Sequence, residues 1–464
     1  MRIEKDALGK LEIPDDVYWG IHTARALKNF PSTGEKIDEE FIRCYGYIKK
    51  SAAFLNKKLG FLETKIADAV IQAADELISG SLMKWVVVDP LCGGAGTSIN
   101  MNINEVIANR ATEILGGKLG EYIVHPLDHV NLHQSTNDTF PTAGKMATIA
   151  LLKQLVENVT NLQDSLQKKE AEYRKMIKPA RTQLMDAVPI SLGQEFGAMA
   201  EAISRDRWRL YKVEERIRMV NLGGTAVGTG IAADRKYVLS IVETLRTVSG
   251  IKIAKAENLI DATQNMDVFA EIHGLLKALA TNLIKISNDI RLLGSGPGSA
   301  IGEIKLPKLQ AGSSIMPGKI NPVIPEYVVQ LSLAVLGHDA IINFAVSSGN
   351  LELNAFVPEI IHYTLKSLRF LTIAANSLAN YILKIEANPE KMRENLLSSS
   401  AILTPLITTY GYDKVQEWIE LSSKTGKNLW EIVKDSLGEE AEKFKAKLIS
   451  NKSTGIGFSH QDFE

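Results

Sequence analysis

Residues 312–322 read GSSIMPGKINP, with two serines, one lysine and one asparagine set among glycines and prolines. Hydroxyls, an amide and a lone ammonium can hold and polarise an anion, but they make neither a metal-ligand set nor a nucleotide loop. Three other stretches share this character: CGGAGTSINMN (92–102), HQSTNDTFPTA (133–143) and RTQLMDAVPISLGQEF (181–196). Arg181 opens the last of them as a second cation, read as unpaired like Lys319. Neutral donors with two cations describe a site for carboxylates. Ser, Thr and Asn also cap helix starts, and that plainer reading covers any one stretch. Four such stretches, two carrying a cation, call for a ligand as well. The eight histidines show no paired zinc-type spacing. His129 and His133 stand four apart in what reads as an extended segment, and no metal is expected there.

Long helices must position these patches. Between Gly144 and Pro179 there is neither Gly nor Pro, and Leu152, Leu155, Val159, Leu162 and Leu166 recur at steps of three and four. A second stripe runs Leu276, Leu279, Leu283, Ile286, Ile290, Leu293. A period near 3.5 is the seam of packed long helices. Similar tracts lie near 192–220, 325–346 and 358–386, making five, the first about 50 Å long. Apolar residues continue around more than one face, so an obligate oligomer is expected. Three domains are read along the chain: 1–136, mixed but mainly helical; 137–388, the long-helix bundle carrying the opening stretch; and 389–464, small and helical, starting at the breaker pair Asn388-Pro389.

The totals narrow the class. The chain has 464 residues, 45% hydrophobic and 23% charged, with a net charge of −1. Without a basic block, neither nucleic acid nor a membrane surface is an expected partner. Cys44 and Cys92 are too few for a disulfide framework. The charged opening MRIEKDALGK lacks the apolar core of a signal peptide, and no uninterrupted apolar run nears the ~20 residues that span a bilayer. A soluble, cytoplasmic protein is expected.

GSSIMPGKINP resembles the signature of the fumarase/aspartase superfamily, whose members eliminate across a carbon–carbon bond to release fumarate. GGAGTSINMNINEVIANRA, DHVNLHQSTNDTFPTA and RTQLMDAVPISLGQEF resemble its other segments, in the same order. RIEKDALGKLEIPDDVYWGIHTARALKNF is similar to the start of its aspartase and class II fumarase branch. The resemblance covers most of residues 1–390. It implies an all-α, three-domain lyase fold, with five long helices per chain forming a twenty-helix bundle in a homotetramer. It also implies a small dicarboxylate substrate, sites shared by three subunits, and no required cofactor or metal.

The resemblance further implies roles. Ser313 is the general base on a mobile loop, with Lys319 and Glu326 the other catalytic residues, Glu326 orienting a partner. Lys319, Asn321 and Thr182 hold the substrate carboxylate beside the leaving group. Thr97, Ser135, Thr136 and the backbone N–H of Ser314 hold the carboxylate whose charge grows. Asn137, Thr97 and Gln183 contact the leaving group. Gln183 stands in RTQLMDA where the fumarase branch usually has a histidine. Water has a pKa of about 15.7, so hydroxide departs poorly without a proton donor. An ammonium carries its own proton, and an amide can bind it without acting as an acid. Ammonia loss from aspartate is therefore the expected reaction. Fumarate hydration is the alternative, and a non-catalytic structural protein on the same scaffold a more distant one. There are departures: SGPGSAIGEI lacks an arginine often found after SGP, and Leu127 replaces an asparagine of an accessory carboxylate site.

Overall fold

The chain starts as a hairpin of β1 (Arg2–Asp6) and β2 (Gly9–Ile13), paired antiparallel with Arg2 opposite Ile13. Four helices follow: α1 (Ile21–Asn29), α2 (Glu39–Lys58), α3 (Thr64–Ser79) and α4 (Thr97–Ile114). Local chemistry sets their starts. The Asp38 carboxylate accepts the N–H of Glu40 at 2.8 Å, while Lys57 and Lys58 sit at the negative end of α2. α1 has no side-chain cap of its own. The buried Glu105 of α4 instead accepts the N–H groups of Gly20, His22 and Thr23, at 2.8, 2.8 and 3.1 Å. The structure, a computed structural model, describes residues 1–449 and Thr454. The remainder of the expected 389–464 segment lies outside the described residues.

α5 (Thr136–Glu172) has 37 residues and so runs about 55 Å. It contains Pro141, which cannot donate to the carbonyl four residues back. That carbonyl belongs to Asn137, and the side-chain amide of Asn221 donates to it at 3.0 Å. The lost helical bond is thereby replaced. Beyond α5 come β3 (Ile177–Thr182), β4 (Met185–Ser191), α6 (Leu192–Ile217), β5 (Met219–Val220), α7 (Arg235–Ser249) and β6 (Ala254–Lys255). They are followed by α8 (Leu259–Gln264), α9 (Asp267–Leu293), β7 (Ile304–Lys305), α10 (Val323–Ser347), α11 (Val357–Ile382), β8 (Glu386–Ala387) and α12 (Pro389–Ser398). The described strands form two-stranded pairs only, so the class is all-α with strands as clips.

The five tracts read from spacing are α5, α6, α9, α10 and α11. Both stripes are buried: Leu152, Leu155, Val159, Leu162 and Leu166 on α5, and Leu276, Leu279, Leu283, Ile286, Ile290 and Leu293 on α9. Contacts divide the chain into two compact units. One unit comprises residues 1–157, 208–280 and 333–372; the other comprises 158–207, 281–332 and everything from 373 onward. In the second unit a core of Leu396, Leu403, Trp418, Trp430 and Phe444 also takes in Ile177 of β3.

α10 is long and apolar enough, by length and composition, to cross a membrane, although Glu326 and Asp339 interrupt the apolar run. Within the chain only 39% of that apolar stretch is buried, and Leu333 and Phe344 are 54% and 75% exposed. An apolar surface of this kind marks an interaction face.

In the first unit the helices enclose a polar knot. His273 bonds Asp339 and Ser367 through its two ring nitrogens, at 3.0 and 2.9 Å, and His338 bonds Ser367 at 3.0 Å. Burial, then the neighbouring charges of His273, Lys366 and His362, lowers His338 to about 4. Between pH 6.5 and 4 the unfolded chain therefore binds a proton that folded His338 refuses, and stability is lost as pH falls through that window. We expect His338→Asn to flatten the fall of urea-unfolding free energy from pH 6.5 to 4, by up to about 1.4 kcal/mol per pH unit.

Candidate active site

The loop between β7 and α10 is closed at its base by its own residues. The Gly312 N–H donates to the Lys319 carbonyl at 3.0 Å, and the Asn321 amide donates to the Gly312 carbonyl at 2.7 Å. A Cβ on Gly312 would lie 2.4 Å from the Lys319 oxygen, so only glycine permits this closure. Inside the loop the Ser313 Oγ accepts the N–H groups of Ile315 and Met316, at 3.2 and 3.0 Å. Two donors on that oxygen favour its deprotonated form, which a serine acting as base requires. The loop tip is open, with Ile315 83% exposed.

Lys319, Asn321 and Glu326 share the wall of a cleft of about 610 Å³, together with Arg291, Lys305 and Lys308. Four cations against one carboxylate give it an anion-binding character. Among the described residues, the Lys319 ammonium has neither a hydrogen-bond nor an ion-pair partner. Glu326 occupies the first turn of α10 and lies 3.9 Å from Arg291, with both side chains 41% exposed. That is a loose pair that contributes little to stability. Ser313 and Ser314 are outside this wall.

Thr182 and Gln183 are at the tip of the β3–β4 hairpin. Thr182 pairs with Met185, leaving Gln183 and Leu184 as a two-residue turn with φ of +54° and +66°. Both turn residues lie in the left-handed region, the pattern of a tight hairpin turn normally filled by Asn or Gly. Gln183 lines a different cavity, of about 640 Å³, with Lys178, Arg181 and Glu195. Within this unit the hairpin tip and the loop thus face separate cavities.

Arg181 corrects the sequence reading, because it is paired. It donates to the two oxygens of Glu303 at 3.0 and 2.8 Å, and Lys178 approaches the same buried carboxylate at 3.0 Å. Glu195 joins Lys178 at 2.6 Å, and burial raises its pKa despite Lys178. The cluster fastens β3 in place.

The remaining predicted residues belong to the first unit. Gly96, at φ +87°, leads into Thr97 at the start of α4, and a Cβ there would lie 2.4 Å from the Phe140 ring. Ser135 caps α5 reciprocally. Its Oγ accepts the N–H of Asn137 at 3.2 Å, and its own N–H donates to Asp138 at 3.0 Å. The Thr136 Oγ1 accepts from the amide of Asn100 at 2.9 Å, and the Asn137 amide donates to the Ala226 carbonyl at 2.7 Å. Each hydroxyl accepts one hydrogen bond and keeps its own hydrogen to donate. The plainer capping reading of this stretch is thus true of Ser135 and compatible with an anion site.

One further correction concerns the preceding segment. The stretch from His129 to His133, expected to be extended, is instead the end of a π-type turn, Pro126–Val130, followed by a further turn over 131–133. Each histidine there has its own partner: His129 Nδ1 accepts the His125 N–H, and His133 Nδ1 bonds Asn56 Oδ1, both at 2.8 Å.

Sequence reasoning missed what lies beneath. Lys49 of α2 is fully buried and donates to Asn100, Asn131 and Gln134. Burial lowers its pKa to about 7, and burial raises that of nearby Asp138 to about 6. The signal was present in the spacing Tyr45, Lys49, Ala52, Asn56, which puts a cation on the buried stripe of a helix. The missed Glu303 carried no comparable sign.

The chain is similar to known proteins over most of its length. Residues 9–337 match the family described as Lyase. An aspartate ammonia-lyase of Bacillus sp is 44% identical over 434 residues, covering 93% of both chains. The structure of a fumarate lyase:delta crystallin from Brucella melitensis bound to cobalt superposes with a TM-score of 0.94 at 42% identity, covering 98% of this chain and 100% of that one. A class II fumarase from Schistosoma mansoni gives 0.90 at 31% identity, covering 97% and 98%.

Removing the Glu303 carboxylate would leave Arg181 without its counter-ion and Lys178 with Glu195 alone. We expect Glu303→Ala to cost about 3–5 kcal/mol in urea unfolding, whereas Glu326→Ala costs under about 1 kcal/mol.

Proposed function

The chain belongs to the lyase family, within the fumarase/aspartase superfamily, and on that premise we propose that it eliminates ammonia from L-aspartate to give fumarate, reversibly. The observation that carries this reading is the near full-length similarity to an enzyme named for that reaction, at higher identity than to the fumarase. Gln183 on its tight turn agrees with it: an amide can hold an ammonium and has no acid proton to give to hydroxide.

The chemistry runs as follows. Ser313, its oxygen stabilised by the Ile315 and Met316 N–H groups, removes a proton from the carbon beside one carboxylate. The electron pair passes onto that carboxylate as an aci-carboxylate, and the hydroxyls of Thr97, Ser135 and Thr136 with the Ser314 N–H meet the growing charge. Lys319, Asn321 and Thr182 hold the other carboxylate. Asn137 and Gln183 contact the amine, the C–N bond breaks and ammonia leaves. Glu326, near Arg291, orients the loop's neighbours. Nothing in this sequence needs a metal or cofactor, since the leaving group brings its own proton.

The residues form three groups: the helix starts of the first unit, the hairpin tip and the loop. The last two line different cavities of one unit. We take each site to draw on three copies of the chain in a homotetramer, whose twenty-helix core covers the exposed apolar residues of α10. The three-domain division 1–136, 137–388, 389–464 is retained for that assembly. The protein is read as soluble and cytoplasmic, with buried free Cys44 and Cys92 suited to a reducing compartment.

Fumarate mixed with ammonia and the enzyme should lose its ultraviolet absorbance, whereas fumarate in buffer alone should not. Loss in buffer alone would make the protein a hydratase. Ser313→Ala should lower kcat for aspartate about 10²–10⁴-fold with the assembly intact by size-exclusion chromatography.

A further inference from the structure

Lys49 is 0% exposed, and no carboxylate lies within ion-pair distance of it among the described residues. A buried ammonium without a counter-ion is costly, so what it bonds is informative. An ammonium has three donors and no lone pair, so its partners must present oxygens. Lys49 meets Asn100 Oδ1 at 2.9 Å, Asn131 Oδ1 at 3.1 Å and Gln134 Oε1 at 2.9 Å.

Each amide is thereby fixed in one of its two orientations, with its NH₂ turned away from the lysine. The Gln134 NH₂ donates to the Val130 and Leu132 carbonyls, at 3.0 and 3.2 Å, and the Asn131 NH₂ to the Gln134 carbonyl at 3.2 Å. These bonds hold the turn before α5. The Asn100 NH₂ donates to Thr136 Oγ1 at 2.9 Å. With its lone pair filled, Thr136 keeps its hydrogen for another acceptor. If Asn100 turned over, its oxygen would face Thr136 and take that hydrogen instead.

We propose that Lys49 is a positioning residue for substrate binding: it locks the amide of Asn100 so that the Thr136 hydroxyl donates outward to a carboxylate. The relay Lys49 to Asn100 to Thr136 spans two bonds of 2.9 Å. It rests on Thr136 being a carboxylate donor in the reaction proposed above. It adds a residue that never touches the substrate and yet sets the direction of a hydrogen bond that does.

The test is a double-mutant cycle in the full-length protein, read by kcat/KM for aspartate and by calorimetric Kd for succinate, a dicarboxylate without a leaving group. Lys49→Met removes the donors at similar length. It should lower kcat/KM and weaken succinate about 10- to 100-fold, the loss expected for one hydrogen bond to a charged group. Thr136→Val should lose as much, and the double variant no more than Thr136→Val alone. Lys49→Gln, a neutral donor, should recover part of the loss. A folded Lys49→Met with wild-type values, or losses that multiply in the double variant, overturns the proposal. If Lys49→Met does not fold, Lys49→Gln takes its place in the cycle, with multiplying losses again decisive. A wild type that binds succinate with this mutant pattern but releases no ammonia from aspartate sinks the proposed reaction and leaves the relay standing.

Discussion

A hydroxyl whose oxygen faces a donor cannot turn its hydrogen that way, so the hydrogen is kept for an anion or another acceptor. Ser135 receives the Asn137 N–H and Thr136 receives the Asn100 amide. On Ser313 two loop N–H groups instead favour the deprotonated oxygen that a base needs. Within the first unit such neutral groups make a directed field that needs no reorganisation when charge develops. The reading of the protein as an enzyme that makes and stabilises a carbanion depends on this arrangement. It explains why the functional stretches are helix starts and a glycine-closed loop, since these are the places where backbone N–H groups lack partners.

Charge is deployed differently in the two units. In the second, Glu303 is buried between Lys178 and Arg181, a cluster that joins strand to loop. Lys319 stands apart from it, its ammonium unpaired among the described residues. In the first unit the buried Lys49 has, among the described residues, no carboxylate at ion-pair distance and gives its donors to amide oxygens. One arrangement is mechanical. The other sets the polarity of a network, where a reversed amide would change what the surface offers a ligand.

The long helices serve both purposes. Their buried stripes hold the units together, and their ends present the polar patches. α10 exceeds that task, with an apolar length much of which its own chain leaves uncovered. Sequence spacing alone pointed to helices with too many apolar faces for one chain, and the exposure of Leu333 and Phe344 on α10 gives that inference a location.

Helix periodicity, glycine placement and neutral-donor stretches were all decided locally, so they could be read from the order of residues. The five helices, the closed loop around Ser313 and the helix starts at Thr97 and Thr136 were legible for that reason. Three matters were not local. Arg181 read as free because its partner Glu303 is over a hundred positions away. The stretch from His129 to His133 read as extended because its turn is held by Lys49, over eighty positions away, through Asn131 and Gln134. Lys49 went unread because its three oxygen partners lie 51, 82 and 85 positions away. Short-range physics chooses helices and turns from neighbouring residues. The partner of a charge and the direction of an amide are chosen only when distant segments are packed together and water is gone.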